Sequence, residues 1–510
     1  MKNSKIVKRA LCLAVVIVPI AFITMSNTSS KSSGYATKAA DICDCFSPSS
    51  AAKTSITFNN QVPGDLPAFT FQSQANCFAW QEFISLNWPT NPSSGFGDPN
   101  DMQFVQWETY IPREVLFQQD GSKPPAWGTL VSDEYSSLFK SQKLLLNKTR
   151  TKLLTFNSKI DTDSTDGVDV TFTPDQAAPF GKPSWLGAQN GTNVWYEIML
   201  NKDYYDFVVS NGYYNAKNQH TAAAAGTPMV FPSGVYNGAT GAIELKAAWM
   251  EVTNPQSPQW KRFKLSKATV LDADTKKLRN TVVALVGMHI LHKTENQPTW
   301  VWATFEQIDN VPDTSIAKSG YGYNFYSDQC QNRNVSIKTA SGDSTVVVTC
   351  TANTSPPYYL TQAKAVPVQV TRTNSIDTKD AAPVNTLMQN NIRKFYPNSV
   401  WQYYQLVDVI WSKSYQPDPT KPIQSPRNLN NSSMTSGDKI VANTTMETYV
   451  QSSDNCLSCH TYSTIAAYPQ DSINNNVFGD FSFAISAAKY PATVSKQKKI
   501  MKTKKKTVKS

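Results

Sequence analysis

The sequence predicts an α+β fold, in which a β-rich main domain with a sandwich-like antiparallel sheet and some helices precedes a small C-terminal segment. The composition favours strands, because Thr, Val and Tyr are plentiful and helix-favouring runs of Glu, Ala and Leu are scarce. Apolar and polar residues alternate along Ile243 to Trp249 and along Val400 to Trp411. The apolar stretch Thr281 to His292 precedes Trp300 to Ile308 across a short turn, which predicts a hairpin at the centre of the sheet.

The N-terminus has the pattern of a secretory signal. Four positive charges precede Ala10 to Met25, a mostly apolar stretch that is marginal for spanning the ~30 Å hydrocarbon layer of a bilayer. We therefore expect a signal peptide at residues 1–25 and a periplasmic or otherwise exported protein, with an uncleaved N-terminal membrane anchor as the alternative. The Ser-, Thr- and Lys-rich residues 26–55 predict a flexible lead-in.

The net charge of +10 comes from the two ends of the chain. Lysines crowd the last fifteen residues, and without them and the N-terminal charges the rest of the chain is nearly neutral. This distribution argues against a nucleic-acid partner. Residues 491–510 predict a disordered Lys-rich tail, which either docks an anionic partner or membrane surface or only adds solubility.

Three helices are expected in the main domain, residues 56–414. Apolar residues recur at helical spacing in the first helix, Gln74 to Leu86, which ends before Pro89 because the residue preceding a proline avoids the α region. The other two helices are expected from Asp203 to Asn211 and from Asp380 to Tyr396.

The C-terminal part divides into a linker and a compact segment. Phe263 to Val270 is a shorter strand candidate in the main domain. The Pro-, Ser- and Asn-rich composition of residues 415–440 predicts a linker. A short amphipathic helix, Val441 to Val450, is expected to begin the C-terminal segment, residues 441–490.

The cysteines outside the signal peptide and the C-terminal segment favour disulfide bonds in an exported protein. Cys330 and Cys350 flank Val335 to Val348, a hairpin-like stretch, so we expect these two cysteines to pair. A second bond is expected between Cys77 and one of two cysteines in the lead-in, with unpaired buried thiols as the alternative. Those two cysteines are Cys43 and Cys45.

The pentapeptide Cys456-Leu457-Ser458-Cys459-His460 is the strongest functional motif. Two thiols three residues apart in a helical turn reach the two vinyl groups of one porphyrin, and the adjacent His then lies under the iron. We therefore expect one covalently bound haem c, held by thioethers from Cys456 and Cys459, with His460 as the proximal iron ligand. A zinc site would need two further nearby ligands and a thioredoxin-like site a βαβ context, and the sequence has neither.

The ligand on the other side of the iron is expected from the upstream chain, because the only Met after the motif, Met501, lies in the lysine tail. The leading candidates are Met288, His289 and His292. On a strand Met288 and His292 share one face and His289 points to the other. A five-coordinate or water-bound iron is the alternative, and it would permit peroxide or oxygen chemistry. Further upstream candidates are Met388, Met434 and Met446.

Several stretches occur together with the C-x-x-C-H motif: Phe78 to Gln81, Leu86 to Pro89, Gly287 to Thr294 and Trp300 to Pro312. In combination they resemble a group of large bacterial exported cytochrome c family proteins that carry one haem motif near the C-terminus. The resemblance spans most of residues 75–465. It implies haem c and a periplasmic location, transfers no substrate, and leaves out the lysine tail.

Charged residues occur on the strands beside the predicted hairpin. Glu244 and Lys246 share one strand face, and Glu306 lies on the second hairpin strand. These residues would form an acid–base cluster beside the haem edge in one interpretation. A solvated face of an antiparallel sheet is the favoured interpretation.

Two functions fit these observations. The first is an electron-transfer protein that exchanges single electrons with a redox partner protein. The alternative is a haem-dependent oxidoreductase, peroxidase-like or substrate-oxidising, in which the large domain binds the substrate. The size of the upstream domain favours the alternative, because a simple carrier needs only ~100 residues. A haem-based sensor is a third hypothesis.

Overall fold

The computed structural model describes ten stretches of the chain. The predicted signal peptide and lead-in, and nearly all of the predicted linker and lysine tail, lie outside the described residues. No helix in the described part has both the length and the hydropathy needed to cross a membrane. The described stretches are 56–129, 152–154, 186–271, 278–313, 320–339, 342–354, 367–412, 440–452, 456–467 and 477–491.

The three helices that the sequence predicts are confirmed as α1, α3 and α5, and each end lies within two residues of its predicted position. The alanine-rich helix α4 was not predicted. In chain order the α-helices of the described stretches are α1 Gln72–Leu86, α2 Arg113–Leu116, α3 Lys202–Ser210, α4 Ala216–Ala224, α5 Ala381–Phe395 and α6 Cys456–His460. Short 3₁₀ helices are Gln106–Thr109, Pro258–Arg262, Val400–Tyr403 and Ala484–Ala487.

Among the described residues, eight strands form one sheet and two more form a separate hairpin. Every pairing in the sheet is antiparallel except that of β2 with β5, so the predicted α+β class and its antiparallel sheet are confirmed. The sheet strands are β1 Ile111–Pro112, β2 Lys152–Leu154, β3 Val194–Leu200, β4 Ile243–Glu251, β5 Leu265–Leu271, β6 Leu278–His292, β7 Val301–Gln307 and β10 Tyr404–Ile410; the hairpin is β8 Arg333–Thr339 with β9 Gly342–Val348.

Strand β6 lies at the centre of the sheet and pairs with three strands, β4, β5 and β7. Strand β4 pairs with β6 along one edge, whereas β5 pairs with the first half and β7 with the second half of the other edge. The sheet continues from β4 to β3 and β1, from β5 to β2, and from β7 to β10. The pairing of β6 with β7 confirms the central hairpin. The sandwich-like stacking stays a prediction, because the described strands form this one forked sheet and the separate hairpin.

The two faces of β6 belong to different cores. Met288 and Ile290 pack in the core that contains α1, and His292 stacks on Phe78 of that helix with ring centroids 5.7 Å apart. Leu291, which points the other way, packs in the core that contains Cys456 and Leu457 of α6. We call these the α1 face and the motif face. The predicted division of side chains between the faces of this strand is therefore confirmed.

The residues before the motif lie buried against the sheet. The predicted helix over Val441 to Val450 is wrong: these residues form turns, and all from Val441 to Thr448 are buried. Their polar groups bond to the sheet, since Asn443 Nδ2 donates to Thr304 Oγ1 and to Phe305 O, each at 2.9 Å. These tertiary bonds replace those of a helix, because a buried polar group needs a partner.

Gly287 allows this segment to approach β6. A Cβ built at Gly287 would lie 2.2 Å from Thr445 Oγ1 and 2.9 Å from Asn443 Oδ1. Any larger residue at this position would therefore push the segment away from the sheet.

The disulfide between Cys330 and Cys350 is confirmed, and it closes the base of the β8–β9 hairpin. Cys77 on α1 is also disulfide-bonded. Its predicted partners, Cys43 and Cys45, lie outside the described residues.

Candidate functional site

The C-x-x-C-H motif forms the single turn of helix α6. Cys456 and Cys459 are three residues apart, so they lie on neighbouring positions of the helix surface. Cys456 is buried, Cys459 is partly exposed, and Leu457 is fully buried. Leu457 packs in the same core as Leu291 and Trp302, which anchors the helical turn on the motif face of the sheet.

His460 is held so that one ring nitrogen stays available. Nδ1 lies 2.7 Å from the carbonyl oxygen of Phe481 and donates to it, because a carbonyl only accepts. Within the described residues Nε2 has no hydrogen-bond partner. The ring lies against Trp302 and Phe483, with centroids 4.4 Å and 4.8 Å away. The arrangement fixes the tautomer with its lone pair on Nε2, the nitrogen that a metal would use.

The surroundings of His460 keep its imidazole neutral. Burial, together with nearby Lys246 and His289, lowers the pKa of His460 to about 3, although Phe481 O and Glu447 act in the opposite direction. A neutral imidazole is the form that binds metal. The local electrostatics therefore favour an iron ligand over a charged side chain at this position.

The loop that supplies the Phe481 carbonyl is fixed by its neighbours. Asp480 and Phe481 have φ values of 51° and 65°, a backbone conformation that needs support in residues other than glycine. The Asp480 carboxylate accepts from Phe231 N at 2.7 Å and forms a buried ion pair with Lys293, the residue after β6. Burial raises the pKa of Asp480, against the attraction of Lys293.

Hydrogen bonds of Ser482 connect the loop of Asp480 and Phe481 to strand β4. Ser482 Oγ donates to Glu244 Oε2 at 2.6 Å and lies 2.8 Å from the hydroxyl of Tyr204 on α3. Burial raises the pKa of Glu244. Glu244 is only 4% exposed, so the favoured interpretation of this strand face as solvated is wrong.

Glu306 is also buried, and its hydrogen bonds connect the turns of residues 441–448 to the sheet. It forms an ion pair with Arg372 and accepts from Thr444 Oγ1 at 2.9 Å. The acid–base cluster considered from the sequence is therefore divided: Glu306 is engaged by Arg372, and only Lys246 is close enough to His460 to affect its pKa.

His289 lies on the motif face, as His460 does. It is directly opposite Lys246 on β4, and its Nε2 lies 3.1 Å from Glu447 Oε1. The other oxygen of Glu447 accepts from Asn443 N at 2.7 Å. We call Lys246, His289 and Glu447 the polar cluster. All three affect the pKa of His460, so they lie close to it.

His292 and Met288 lie on the α1 face. His292 Nδ1 hydrogen-bonds with Glu82, and Nε2 lies 2.5 Å from the carbonyl oxygen of Thr240. Met288 is fully buried, with Asn87 Nδ2 4.0 Å from its sulfur. Of the three leading distal candidates, the structure thus brings only His289 to the side of His460. Met388 and Met446 are buried in cores, and Met434 and Met501 lie outside the described residues.

Glu447 and the Phe481 carbonyl are the functional contacts that sequence reasoning missed. Glu447 lies inside the segment wrongly predicted as a helix, and the Phe481 carbonyl acts through a backbone conformation that no side-chain pattern signals. The one sign available in the sequence was a single acidic residue, Glu447, in an otherwise Thr- and Asn-rich stretch.

The residues of this site fit a c-type haem. Two thiols on one helical turn precede a neutral histidine whose Nε2 has no hydrogen-bond partner in the described part of the chain, and the rings of Trp302 and Phe483 lie against that histidine. In the described part of the chain, no three or more His, Cys, Asp or Glu residues are arranged so that they could hold a metal ion by themselves. No family model, no curated protein and no solved structure matches the chain.

Proposed function

We propose that this protein is an exported c-type cytochrome with one haem that transfers electrons in the periplasm. Cys456 and Cys459 would bind the haem covalently, and His460 would be the proximal ligand of its iron. The observation that carries the proposal is the state of His460, a buried, neutral imidazole on the motif turn. Its Nδ1 donates to Phe481 O, and its Nε2 has no hydrogen-bond partner among the residues that the structure describes.

The bound haem would supply one-electron oxidation and reduction. The chain itself orients and shields that group. Phe481 O accepts the Nδ1 proton of His460, which restricts rotation of the ring about its Cβ–Cγ bond. Trp302 and Phe483 keep water from the ring, and Leu457 fixes the helical turn to the sheet.

We keep His289 as the candidate distal ligand. It shares the motif face with His460, whereas Met288 and His292 would have to leave the core on the α1 face. A five-coordinate or water-bound iron is the other possibility. Two nitrogen ligands lower the reduction potential of a haem and an open position permits reactions with peroxide, so the two arrangements predict different behaviour.

The expected partner is a redox protein in the same compartment. The signal-peptide pattern and the resemblance to exported cytochrome c family proteins support a periplasmic location, and the Lys-rich tail would dock an anionic partner or surface. No part of this proposal needs a nucleic acid.

A second candidate function is a haem-dependent oxidoreductase, either peroxidase-like or substrate-oxidising. The observation in its favour is the polar cluster, which places a lysine, a histidine and a carboxylate close to His460. Buried groups of this kind act as general acids and bases in many active sites. The large upstream domain would then bind the substrate.

The first experiment measures covalent haem. The full chain is expressed for export together with a haem c attachment system, and haem staining on a denaturing gel is compared with the alkaline pyridine spectrum. We expect one haem per chain in the wild type and none in the Cys456→Ala/Cys459→Ala variant. A Cys330→Ser/Cys350→Ser variant is the matched control and keeps its haem. Covalent haem in the Cys456→Ala/Cys459→Ala variant would refute the proposal.

The second experiment separates the two functions. Optical spectra of the oxidised and reduced protein are recorded with and without cyanide and peroxide. A low-spin iron that ignores both reagents supports the electron-transfer protein, and a high-spin iron that binds them supports the oxidoreductase. His289→Ala is expected to convert a low-spin spectrum to high spin, whereas Met288→Leu, its neighbour on the opposite face, leaves the spectrum unchanged.

A further inference from the structure

A buried lysine lies outside the candidate haem site, on the short strand β2. Lys152 Nζ is 2.7 Å from Glu197 Oε1 on β3 and 3.0 Å from Glu108 Oε1 in the 3₁₀ helix Gln106–Thr109. The side chain of Lys152 is 2% exposed, that of Glu108 is 0% exposed and that of Glu197 is 10% exposed. The amine and both carboxylates are therefore enclosed together, almost out of contact with water.

Aromatic rings surround the amine. Lys152 Nζ lies 4.7 Å from the ring centroids of both Trp107 and Trp249, and 5.2 Å from that of Phe104. The two tryptophan rings lie 6.0 Å apart and nearly parallel. Burying an ion pair in such surroundings costs a large desolvation free energy, which the attraction between the charges rarely offsets completely. A reaction that removed both charges would remove that cost.

The two carboxylates have different surroundings. Glu108 accepts from Val105 N at 2.8 Å and lies 3.3 Å from Lys264 Nζ. Burial acts to raise the pKa of Glu108, but Lys152 and Lys264 lower it overall, so this group stays a carboxylate. Burial raises the pKa of Glu197, against the attraction of Lys152, so Glu197 takes up a proton more readily. Glu108 is thus the better base, and Glu197 is the better electrophile.

A hydrogen-bond donor is already in place on Glu197. Trp249 Nε1 donates to Glu197 Oε1 at 2.7 Å. When a nucleophile adds to a carboxyl carbon, negative charge develops on an oxygen, and a fixed N–H donor stabilises that charge. Lys152, Glu108 and Trp249 thus supply the nucleophile, the base and the oxyanion donor for an amide-forming reaction at Glu197.

From this arrangement we infer that Lys152 and Glu197 condense to an amide, which would link β2 to β3 covalently. The charges stay balanced in the product, because Glu108 remains paired with Lys264. In dilute solution water competes with the amine, whereas buried groups held in contact react as if at an effective concentration on the order of 10⁵ M or more. This inference does not depend on the haem.

The reaction begins from the ion pair. Burial acts to lower the pKa of Lys152, but Glu108 and Glu197 raise it overall, so the amine starts as an ammonium group. The bond between Nζ and Cδ of Glu197 forms, and one Cδ–O bond breaks. Two protons of the ammonium group leave with that oxygen as water, and Glu108 relays them without a net change of its own. The condensation needs no oxidant and no other reactant.

The amide would hold a short strand at the end of the sheet. Strand β2 has three residues and pairs with β5 in parallel. In the order of the sheet, three strands separate β2 from β3. A covalent bond between β2 and β3 would therefore constrain the sheet across several strands, as a disulfide constrains a chain.

The test is a peptide map of the full exported chain. The protein is unfolded, reduced and digested with trypsin, which does not cleave after an acylated lysine. We expect residues 151–159 joined to the peptide that contains Glu197, at a mass about 18 Da below the sum of the two because one water has left. Cleavage after Lys152 in the wild type would overturn the inference, whatever the variants show.

Three variants assign the roles. Lys152→Arg keeps the positive charge without the amine, so it should give unlinked peptides. Glu108→Gln removes the base, so the linked peptide should form about 100-fold more slowly or worse, as expected when a general base is lost. Lys267→Arg replaces an exposed lysine on β5 and should leave the linkage complete. Circular dichroism checks each fold, and a linkage at Lys152→Arg, or an undiminished rate in folded Glu108→Gln, would contradict the inference.

Discussion

His292 and His460 are both buried, on opposite sides of the central sheet, yet their hydrogen bonds differ. His292 bonds through both ring nitrogens, to the Glu82 carboxylate and to the carbonyl of Thr240. His460 uses one nitrogen, bonded to Phe481 O, and within the described residues the other has no partner. The surroundings raise the pKa of the first and lower that of the second.

The difference separates a histidine that supports the fold from one that is prepared to bind a metal. A carboxylate partner keeps a proton on the ring, because the negative charge stabilises the charged form. A buried ring whose one nitrogen donates to a carbonyl and has no carboxylate bonded to it keeps the other nitrogen neutral and able to donate its electron pair. The burial of a histidine says little about its role, whereas the partner of each nitrogen says much.

Exchanging the two histidines for inert residues gives the largest expected effect. His460→Ala should shift the Soret band away from its wild-type position, because the iron loses its proximal ligand while Cys456 and Cys459 still hold the porphyrin. His292→Phe should keep the wild-type band per folded chain while lowering stability. Absorption spectra normalised to protein concentration and haem staining measure both. A changed Soret band in His292→Phe, or an unchanged one in His460→Ala, would reverse the comparison.

The next largest effect concerns the ion pair of His292 and Glu82, which lies on the α1 face. Glu82→Leu leaves His292 Nδ1 buried without a partner, so the free energy of unfolding should fall by roughly 3–5 kcal/mol. Urea unfolding followed by tryptophan fluorescence measures the change. The Glu82→Leu/His292→Phe variant should lose less than the sum of the two single variants, since it leaves neither group unpaired. Additive losses would show that the two side chains do not interact.

A smaller effect is expected where the buried residues 441–448, which precede the motif, contact strand β6 at Gly287. Gly287→Ala brings a Cβ against Thr445 Oγ1, and relief of that overlap should cost roughly 1–3 kcal/mol of unfolding free energy. Gly322→Ala is the control, because nothing lies within 4 Å of its added Cβ. Because the displaced segment carries Glu447, the haem spectrum of Gly287→Ala should change as well. Equal stability in the two variants would argue against close contact at Gly287.

The smallest effect is a pH dependence of the His292–Glu82 pair. Burial acts to lower the pKa of His292, but Glu82 and the Thr240 carbonyl raise it overall, and burial raises the pKa of Glu82. The folded chain thus keeps a proton that the unfolded chain releases above the ordinary histidine value of 6.5. This contribution to stability is full below that pH and is lost as pH rises through the folded pKa.

Unfolding free energies measured from about pH 6 to about pH 9 test this sign, because the wild type should lose up to about 1.4 kcal/mol per pH unit relative to Glu82→Leu/His292→Phe. The comparison with this variant removes the contributions of other titrating groups. A wild type that gains stability over the same interval, relative to the variant, would mean that the pair is deprotonated in the folded chain.

The local parts of the fold could be predicted from the sequence. Alternation identified β4, an apolar stretch followed by a short turn identified the β6–β7 hairpin, and proline positions predicted the ends of α1 and α5. The segment over Val441 to Val450 could not be predicted in this way, because its polar side chains bond to the sheet rather than to its own backbone. Strand β3 was missed, because all its residues except Glu197 are apolar or aromatic and show no clear alternation.

The residues of the candidate site could also be predicted only in part. The motif identified Cys456, Cys459 and His460, and strand periodicity divided Met288 and His292 from His289. Which face the motif packs against is a tertiary property, and periodicity does not determine it. The Phe481 carbonyl depends on two residues with positive φ, which only the folded loop reveals.

The burial of α6 has a consequence for how the protein matures. Cys456 and His460 are enclosed by the sheet, by residues 441–448 and by the loop through Phe481. An enzyme that attaches haem must reach both thiols and the porphyrin edge at once. On the proposed function, attachment therefore precedes the closing of the C-terminal residues onto the motif face. Export, haem ligation and the last stage of folding would occur in that order, and a chain that folded first would be a dead end for maturation.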